Sequence, residues 1–430
     1  MDSQISEHKR LGQTQPNYAL LLLTLVFALG LLDRVIFNVL LDPIREEFHL
    51  SDTVMGLLSG FAFVAFYSAM TFPVARLADR YNRRNIVVTG LTIWSAMTAF
   101  SGLVANTLQL TIARIMVGFG ESMGSAPGHS LLSDFFPKEK RPKAFSIYSG
   151  GLHIGILLGY IIAGLVGQML GWRYAFFFAG APGLILALII RLTMKEPLRG
   201  SSEEHYKLKE LGIPLKEALK DIFSRQSYLL VLIATTMGAF VIYALSTWEA
   251  TFLRRIYHFN GKQIGLIVGV VKGGTGLAGA FLGGWLSNTF GKKDYKYILQ
   301  IPAIATFLCA AFSLVFLFST NAAMAIIGLG MTTFFLAFHI GVSWGVAQTV
   351  TRVEVRTLAA AILTISCNFI GHGFGSSVPG FFNDLLSETY SVNAIRYSLL
   401  SATGVALLAS IIYWKASGLL RKDINTIEQR

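Results

Sequence analysis

The chain has 430 residues, of which 53% are hydrophobic and 14% charged, and it carries a formal net charge of +12. A soluble domain is charged at roughly a quarter of its positions, so this composition excludes an ordinary soluble enzyme or binding module. Nucleic acid is not the expected partner of the basic excess either, because the Lys and Arg residues fall in alternate loops between long apolar runs, as in a polytopic membrane protein.

A membrane span needs about 20 apolar residues. Twelve stretches qualify, at roughly 18–41, 54–78, 86–105, 108–133, 143–168, 173–193, 227–253, 263–289, 296–319, 321–349, 356–383 and 393–416. The first is too long for a signal-peptide core and contains Asp33 and Arg34, so cleavage is not expected. The longest gap, 194–226, divides the chain into a six-span bundle at 1–193, a cytoplasmic linker, and a six-span bundle at 227–430. With both termini in the cytoplasm, the cytoplasmic segments hold 27 of the 36 Lys and Arg residues, the opposite side holds six, and Arg34, Arg114 and Lys272 lie within spans. That bias sets the topology.

Between spans two and three, Ala75–Asn85 reads ARLADRYNRRN; between spans eight and nine, Gly284–Asp294 reads GWLSNTFGKKD. Both follow a pattern of small, any, Leu, small, Asp or Asn, any, aromatic, any, basic, basic. The copies occupy the same place in each half, which is the mark of a parallel repeat of six spans and one of the known transporter plans. In the linker, Pro214 opens PLKEALKDIF, where Leu215, Ala218, Leu219, Ile222 and Phe223 share one face and Lys216, Glu217, Lys220 and Asp221 the other. A short amphipathic helix on the inner membrane surface is expected, against a solvated linker helix as the alternative.

Span four holds the most informative residues. A charged side chain at bilayer depth is costly and normally faces a protein interior or a water-filled path. Arg114 and Glu121 are seven residues apart and so share a helix face. Gly118, Gly120, Gly124 and Gly128 permit close approach of neighbouring helices. Counting rise per residue, Asp33 lies roughly 22 Å up from the inner edge, Arg114 roughly 9 Å and Glu121 roughly 20 Å below the outer edge. In a hydrocarbon core of about 30 Å, Asp33, Arg34 and Arg114 are level and Glu121 is deeper. Asp33 is therefore expected to pair with Arg114. A carboxylate balanced between burial and a nearby arginine can change protonation during a cycle. Asp33 and Glu121 are the proton-coupling candidates, and Arg34, Arg114 and Glu121 the candidates for holding an anionic head. The bland alternative is a fixed structural ion-pair network.

Weaker candidates follow. Glu249 is expected to pair with Arg254 or Arg255 near the outer end of span seven. Lys272, in the glycine-rich VKGGTGLAGAFLGG, is either a substrate-binding residue or a snorkelling or paired lysine. His129, His153, His339 and His372 read as hydrogen-bonded interior histidines, with His153 also retained for substrate binding. No two of them have metal-ligand spacing with a third ligand, so no metal is expected. Cys309 and Cys367 read as small buried hydrophobes. Gly273-Gly274-x-Gly276 lies inside a span without a preceding strand and is not a nucleotide loop. No phosphate-binding loop or soluble domain offers a place for ATP, so no cofactor is expected and transport runs on a gradient or downhill.

The Ala75–Arg84 stretch resembles the loop signature of the major facilitator superfamily, with Ala75 and Asn82 at two of its glycine positions, and Arg114-x-x-x-Gly118-x-Gly120 resembles that family's fourth-span motif. DRVIFNVLLDPIREEFHLSD at 33–52, GFGESMGSAPGHSLLSDFFPKEKRPKAFS at 118–146, GWRYAFFFAGAPG at 171–183 and EPLRG at 196–200 are similar to the Spinster branch, which includes lysophospholipid and sphingosine-phosphate transporters. The Asp-Arg of span one and the Arg and Glu of span four are shared with anion–cation symporters for organic and sugar acids. The resemblance implies an all-α membrane protein of twelve transmembrane helices, in two pseudo-symmetric six-helix bundles around a cavity that opens alternately to each side. It places spans one and four together on that cavity. It also implies a cytoplasmic conformational latch of Asp79, Arg80, Arg83 and Arg84, with Asp79 near the start of span eleven around Val355, a carboxylate beside a helix N-terminus. The expectation is a monomeric secondary transporter of the bacterial inner membrane, coupled to protons and moving an anionic or zwitterionic amphipathic lipid. A sugar-acid symporter, a multidrug efflux pump and a non-transporting receptor or scaffold are the alternatives. No nucleophile–base pair supports an enzyme.

Overall fold

The computed structural model describes residues 15–137, 140–198, 214–352 and 355–428, and these are helical with no strand among them. In chain order the helices are α1 (Pro16–Val39), α2 (Leu41–Phe48), α3 (Asp52–Ser59), α4 (Phe61–Arg80), α5 (Arg83–Ser101), α6 (Thr107–Phe135), α7 (Arg141–Met169) and α8 (Trp172–Thr193). After the linker come α9 (Leu215–Ser224), α10 (Gln226–Tyr257), α11 (Gly261–Gly291), α12 (Lys296–Phe318), α13 (Ala322–Leu336), α14 (Phe338–Thr349), α15 (Arg356–Ile365), a π-helical segment (Ser366–His372), α16 (Gly373–Tyr390), α17 (Ala394–Ser398) and α18 (Leu400–Glu428). By length and apolarity, nine of the described segments are able to cross a membrane, one of them a run of 68 residues, Leu358–Asn425, that contains two of the expected spans. The polar residues of α5 and α6 keep spans three and four out of that set, and with them all twelve expected spans are helical.

The chain forms two compact units. The first comprises the chain up to Ile44 and from Ala62 into the linker; the second comprises Arg45–Phe61 and the chain beyond the linker. In the first unit α1 lies along α7 and α8, and α5 lies between α6 and α8. Bare backbone makes the closest approaches possible. A Cβ on Gly118 would overlap the Phe63 carbonyl, and one on Gly120 would sit 2.7 Å from the Trp94 backbone nitrogen. In the second unit α18 packs on α10 and α12, and α13 on α11 and α12.

Residues 45–61, assigned by the spans to the N-terminal bundle, group instead with the second unit, and the reason is a set of polar contacts. Asp384 on α16 accepts from the backbone N–H of Asp52 (3.0 Å) and Thr53 (2.8 Å) and from the Thr53 hydroxyl (2.5 Å), so a carboxylate caps the start of α3. Arg255 donates from Nη1 (2.5 Å) and Nη2 (2.8 Å) to Asp52. Bare backbone at Gly56 rests on Ser376 and Ser377.

The linker helix is a second departure. Instead of lying apolar side down on a membrane, α9 buries Ala218 and Ile222 in the protein's own core with Tyr228, Val231, Val346 and Val355. The physical cause is its direct run into α10 together with an ion pair from Asp221 to Arg352 at 2.9 Å. Phe223, on the same face, is 43% exposed.

Candidate functional site

The charged quartet of spans one and four comes together within the first unit as two adjoining pairs. Arg114 and Asp33 are each 2% exposed, with Nη1 to Oδ2 at 3.2 Å. Thr98 on α5 donates to the other Asp33 oxygen at 2.6 Å. The rest of the Arg114 guanidinium lies against aromatic faces, 4.3 Å from the Phe37 ring centroid and 5.4 Å from Phe63. Aromatic faces solvate a cation where water is absent. The pairing expected from depth counting, Asp33 with Arg114, is thus present.

The second pair joins Arg34 to Glu121. Nε and Nη2 of Arg34 both donate to Oε2, at 2.9 and 2.5 Å. Sequence reasoning named both residues but not their contact, because their positions along the span axis differ; the length of the arginine side chain closes the gap. Glu121 lies over Gly30 of α1, where an ideal Cβ would be 3.6 Å from the carboxyl. Its Oε1 is buried and makes no hydrogen bond among the described residues. Arg34 is the more open member, with 17% of its side chain exposed against 5% for Glu121, and it rests on Phe63 (4.6 Å) and Tyr67 (5.3 Å). The cation stands in front and the carboxylate behind it.

The same layout occurs in the second unit. Lys272 on α11 donates to Glu249 on α10 at 2.6 Å and to the Ser246 hydroxyl at 2.8 Å, with side-chain exposures of 12% for the lysine and none for the glutamate. Glu249 was expected to pair with the neighbouring arginines. The structure gives it a lysine on the next helix, and Arg255 is engaged by Asp52. Also in the second unit, Tyr243 stacks on His372, ring centroids 3.8 Å apart and 7° from parallel. His339 bonds its Nδ1 to the Leu336 carbonyl at 2.6 Å, as an interior histidine does. His153 is half-buried on α7, with its Nδ1 lacking a hydrogen bond among the described residues, and is not among the contacts of the quartet. Cys309 and Cys367 are free thiols, the first fully buried.

The loop between α4 and α5 separates the latch candidates. Asp79 and Arg80 are exposed. Arg83 is 3% exposed and bonded throughout: Nε to Glu196 (2.9 Å), Nη1 to Ser130 (2.9 Å) and Asp134 (2.5 Å), and Nη2 to the Pro197 carbonyl (3.3 Å). Glu196 also accepts from the backbone N–H of Arg83 (3.1 Å) and Arg84 (2.8 Å), capping the first turn of α5. Glu196 entered the sequence reading only as part of EPLRG, and its function as the partner of this loop was not visible there.

Helical spans that hold two adjoining carboxylate–guanidinium pairs at bilayer depth have the build of a secondary membrane transporter. The chain belongs to the Major Facilitator Superfamily, whose model matches residues 23–376. It is 27% identical over 411 residues to an MFS-type efflux pump of Mycolicibacterium smegmatis, covering 94% of this chain and 92% of that one. It is 26% identical over 404 residues to a sphingosine-1-phosphate transporter of Danio rerio, covering 88% of this chain and 78% of the relative. Among solved structures, a bacterial homolog of the human lysosomal transporter Spinster, captured inward-facing and unoccupied, superposes with a TM-score of 0.89 at 25% identity, covering 96% of this chain and 99% of that one. Within the superfamily the likeness is to the Spinster branch.

Proposed function

We propose that the protein is a proton-coupled secondary transporter that moves an anionic or zwitterionic amphipathic lipid, a lysophospholipid or sphingolipid-like molecule, by alternating access across a bacterial inner membrane, with both termini in the cytoplasm. The observation that carries this reading is Glu121. A buried carboxylate with one oxygen unbonded among the described residues, set behind a partly exposed arginine, is arranged to take up a proton when an anion takes its arginine. Asp33 and Arg114 form the more buried support beside it, packed against Phe37 and Phe63. Lys272 and His153 are assigned to substrate binding, and Asp79 and Arg80 to the cytoplasmic latch. The name of the sphingosine-1-phosphate relative supports the lipid class; the efflux-pump relative keeps export as the direction of choice.

The test is uptake into proteoliposomes under an imposed pH gradient, with a lysophosphatidylglycerol and a sugar acid as competing substrates. Proton-dependent movement of the lysolipid, lost in Asp33→Asn and Glu121→Gln, is the expected result. Transport of the sugar acid alone moves the assignment to the organic-acid symporters. Transport by both variants at the parental rate removes the coupling assignment.

A further inference from the structure

The repeated loop behaves differently in its two copies. In the first, the Arg83 guanidinium is held by the carboxylates of Glu196 and Asp134, Glu196 also accepts from the Arg84 backbone N–H, and the Arg84 guanidinium donates to Asn85 Oδ1 and the Met194 carbonyl. In the second, the aligned pair Lys292–Lys293 lines a cavity of about 490 Å³ between the end of α11, the start of α12 and the end of α18. Arg421 from α18 adds a third cation to its wall. The one acid there, Asp294, accepts from the Lys296 backbone N–H at 3.1 Å; this bond holds its carboxyl below the usual range, and the side chain is turned to its own helix start. Three cations against one carboxylate leave a net positive wall.

The cavity also contains a polar atom without a partner. Ser287, the position aligned with Ala78 of the first copy, is 2% exposed and lines the cavity, and its Oγ makes no hydrogen bond among the described residues. A buried hydroxyl left unbonded costs free energy unless a ligand completes it. A hydroxyl donor behind three cations is a recognition set for a phosphate group. We infer that this cavity is a phosphate-binding site, filled by the headgroup of an anionic phospholipid or by a free phosphate anion in the place that protein carboxylates occupy in the first copy. Two further features favour the lipid. The cavity lies on the side where Lys and Arg concentrate, which faces anionic lipid. Tyr295 (39% exposed) lines it, as an aromatic side chain does at the headgroup level.

The experiment uses the purified full chain. Its thermal stability is measured in nanodiscs of phosphatidylcholine with increasing phosphatidylglycerol, and separately in detergent with increasing inorganic phosphate; native mass spectrometry counts retained lipid. Stabilisation by phosphatidylglycerol with a retained lipid identifies a headgroup site, and stabilisation by inorganic phosphate alone identifies a soluble anion; either supports the site. Affinity falls about fivefold for each cation removed in Lys292→Gln, Lys293→Gln and Arg421→Gln. Ser287→Ala leaves the surface charge untouched, so it separates a built site from diffuse attraction: it raises the resting stability and weakens the response to phosphate. A Ser287→Ala response equal to that of the parent, or no response of the parent to either ligand, overturns the inference.

Discussion

Two arginine–carboxylate clusters stand in the same unit and differ in how completely they are satisfied. Arg83 spends Nε, Nη1 and Nη2 on two carboxylates, a hydroxyl and a carbonyl, while its partner Glu196 also caps a helix. Arg114 and Glu121, by contrast, each keep a buried polar atom without a hydrogen bond among the described residues, Nε in one and Oε1 in the other, and the Arg114 guanidinium lies against aromatic rings. A saturated cluster has one low-energy arrangement and holds a loop in place. An unsaturated one has unused bonding capacity, so a proton or an anion can enter it at modest cost. The difference is one of bonding and not of burial, since both clusters are buried.

The contrast is open to direct attack. The largest effect is expected for Arg83→Ala, which strands Asp134 and Glu196 and lowers stability by about 3–5 kcal/mol; loss of the monodisperse peak and a fall in melting temperature in detergent report it, and an unchanged melting temperature breaks the comparison. Arg83→Lys keeps the charge but loses the planar fork, and a penalty of about 2 kcal/mol is expected by the same assay. Asp384→Ala, in the other unit, tests whether saturation by backbone donors counts equally: removing the cap of α3 should lower stability by about 1–2 kcal/mol. Glu121→Gln is expected to move stability least, by about 1 kcal/mol or less, because the amide replaces a carboxylate that was never fully bonded. Its mark is functional. Binding of a lysophosphatidylglycerol followed by tryptophan fluorescence becomes the same at pH 6 and pH 8, and retention of the parental pH dependence would sink the assignment.

Much of this was readable from the chain. Helical rise placed Asp33 and Arg114 at one depth, and their ion pair follows from it. The twelve apolar runs are all helices, because in a bilayer a backbone without internal hydrogen bonds has no other solution. What escaped reading involves contacts that have no period in the sequence. Glu249 had two arginines close by in the chain, but its bond to Lys272 is set by how α10 and α11 face each other. The apolar face of α9 was visible, but whether lipid or protein covers it depends on the packing of the unit. Glu196 lies in a short polar stretch that carries no hint of the two backbone N–H groups it caps. Residues 45–61 join the second unit through Asp384, more than three hundred residues away.

The seven-residue π-helical stretch Ser366–His372 lies between two regular helices, α15 and α16. Hydrogen bonding from i to i+5 makes such a turn wider than its neighbours, so the span holds a spare residue. Like a ruck in a carpet, the wide turn can travel along the helix, and each residue it passes swings by about 100° about the axis while the two ends stay put. The Tyr243–His372 stack and the bond from the Trp248 indole to the Ser376 carbonyl, at 2.8 Å, are the pins that hold the ruck where it is. A span built this way can re-aim one face of its side chains without tilting, a form of motion that rigid rocking of a bundle does not supply.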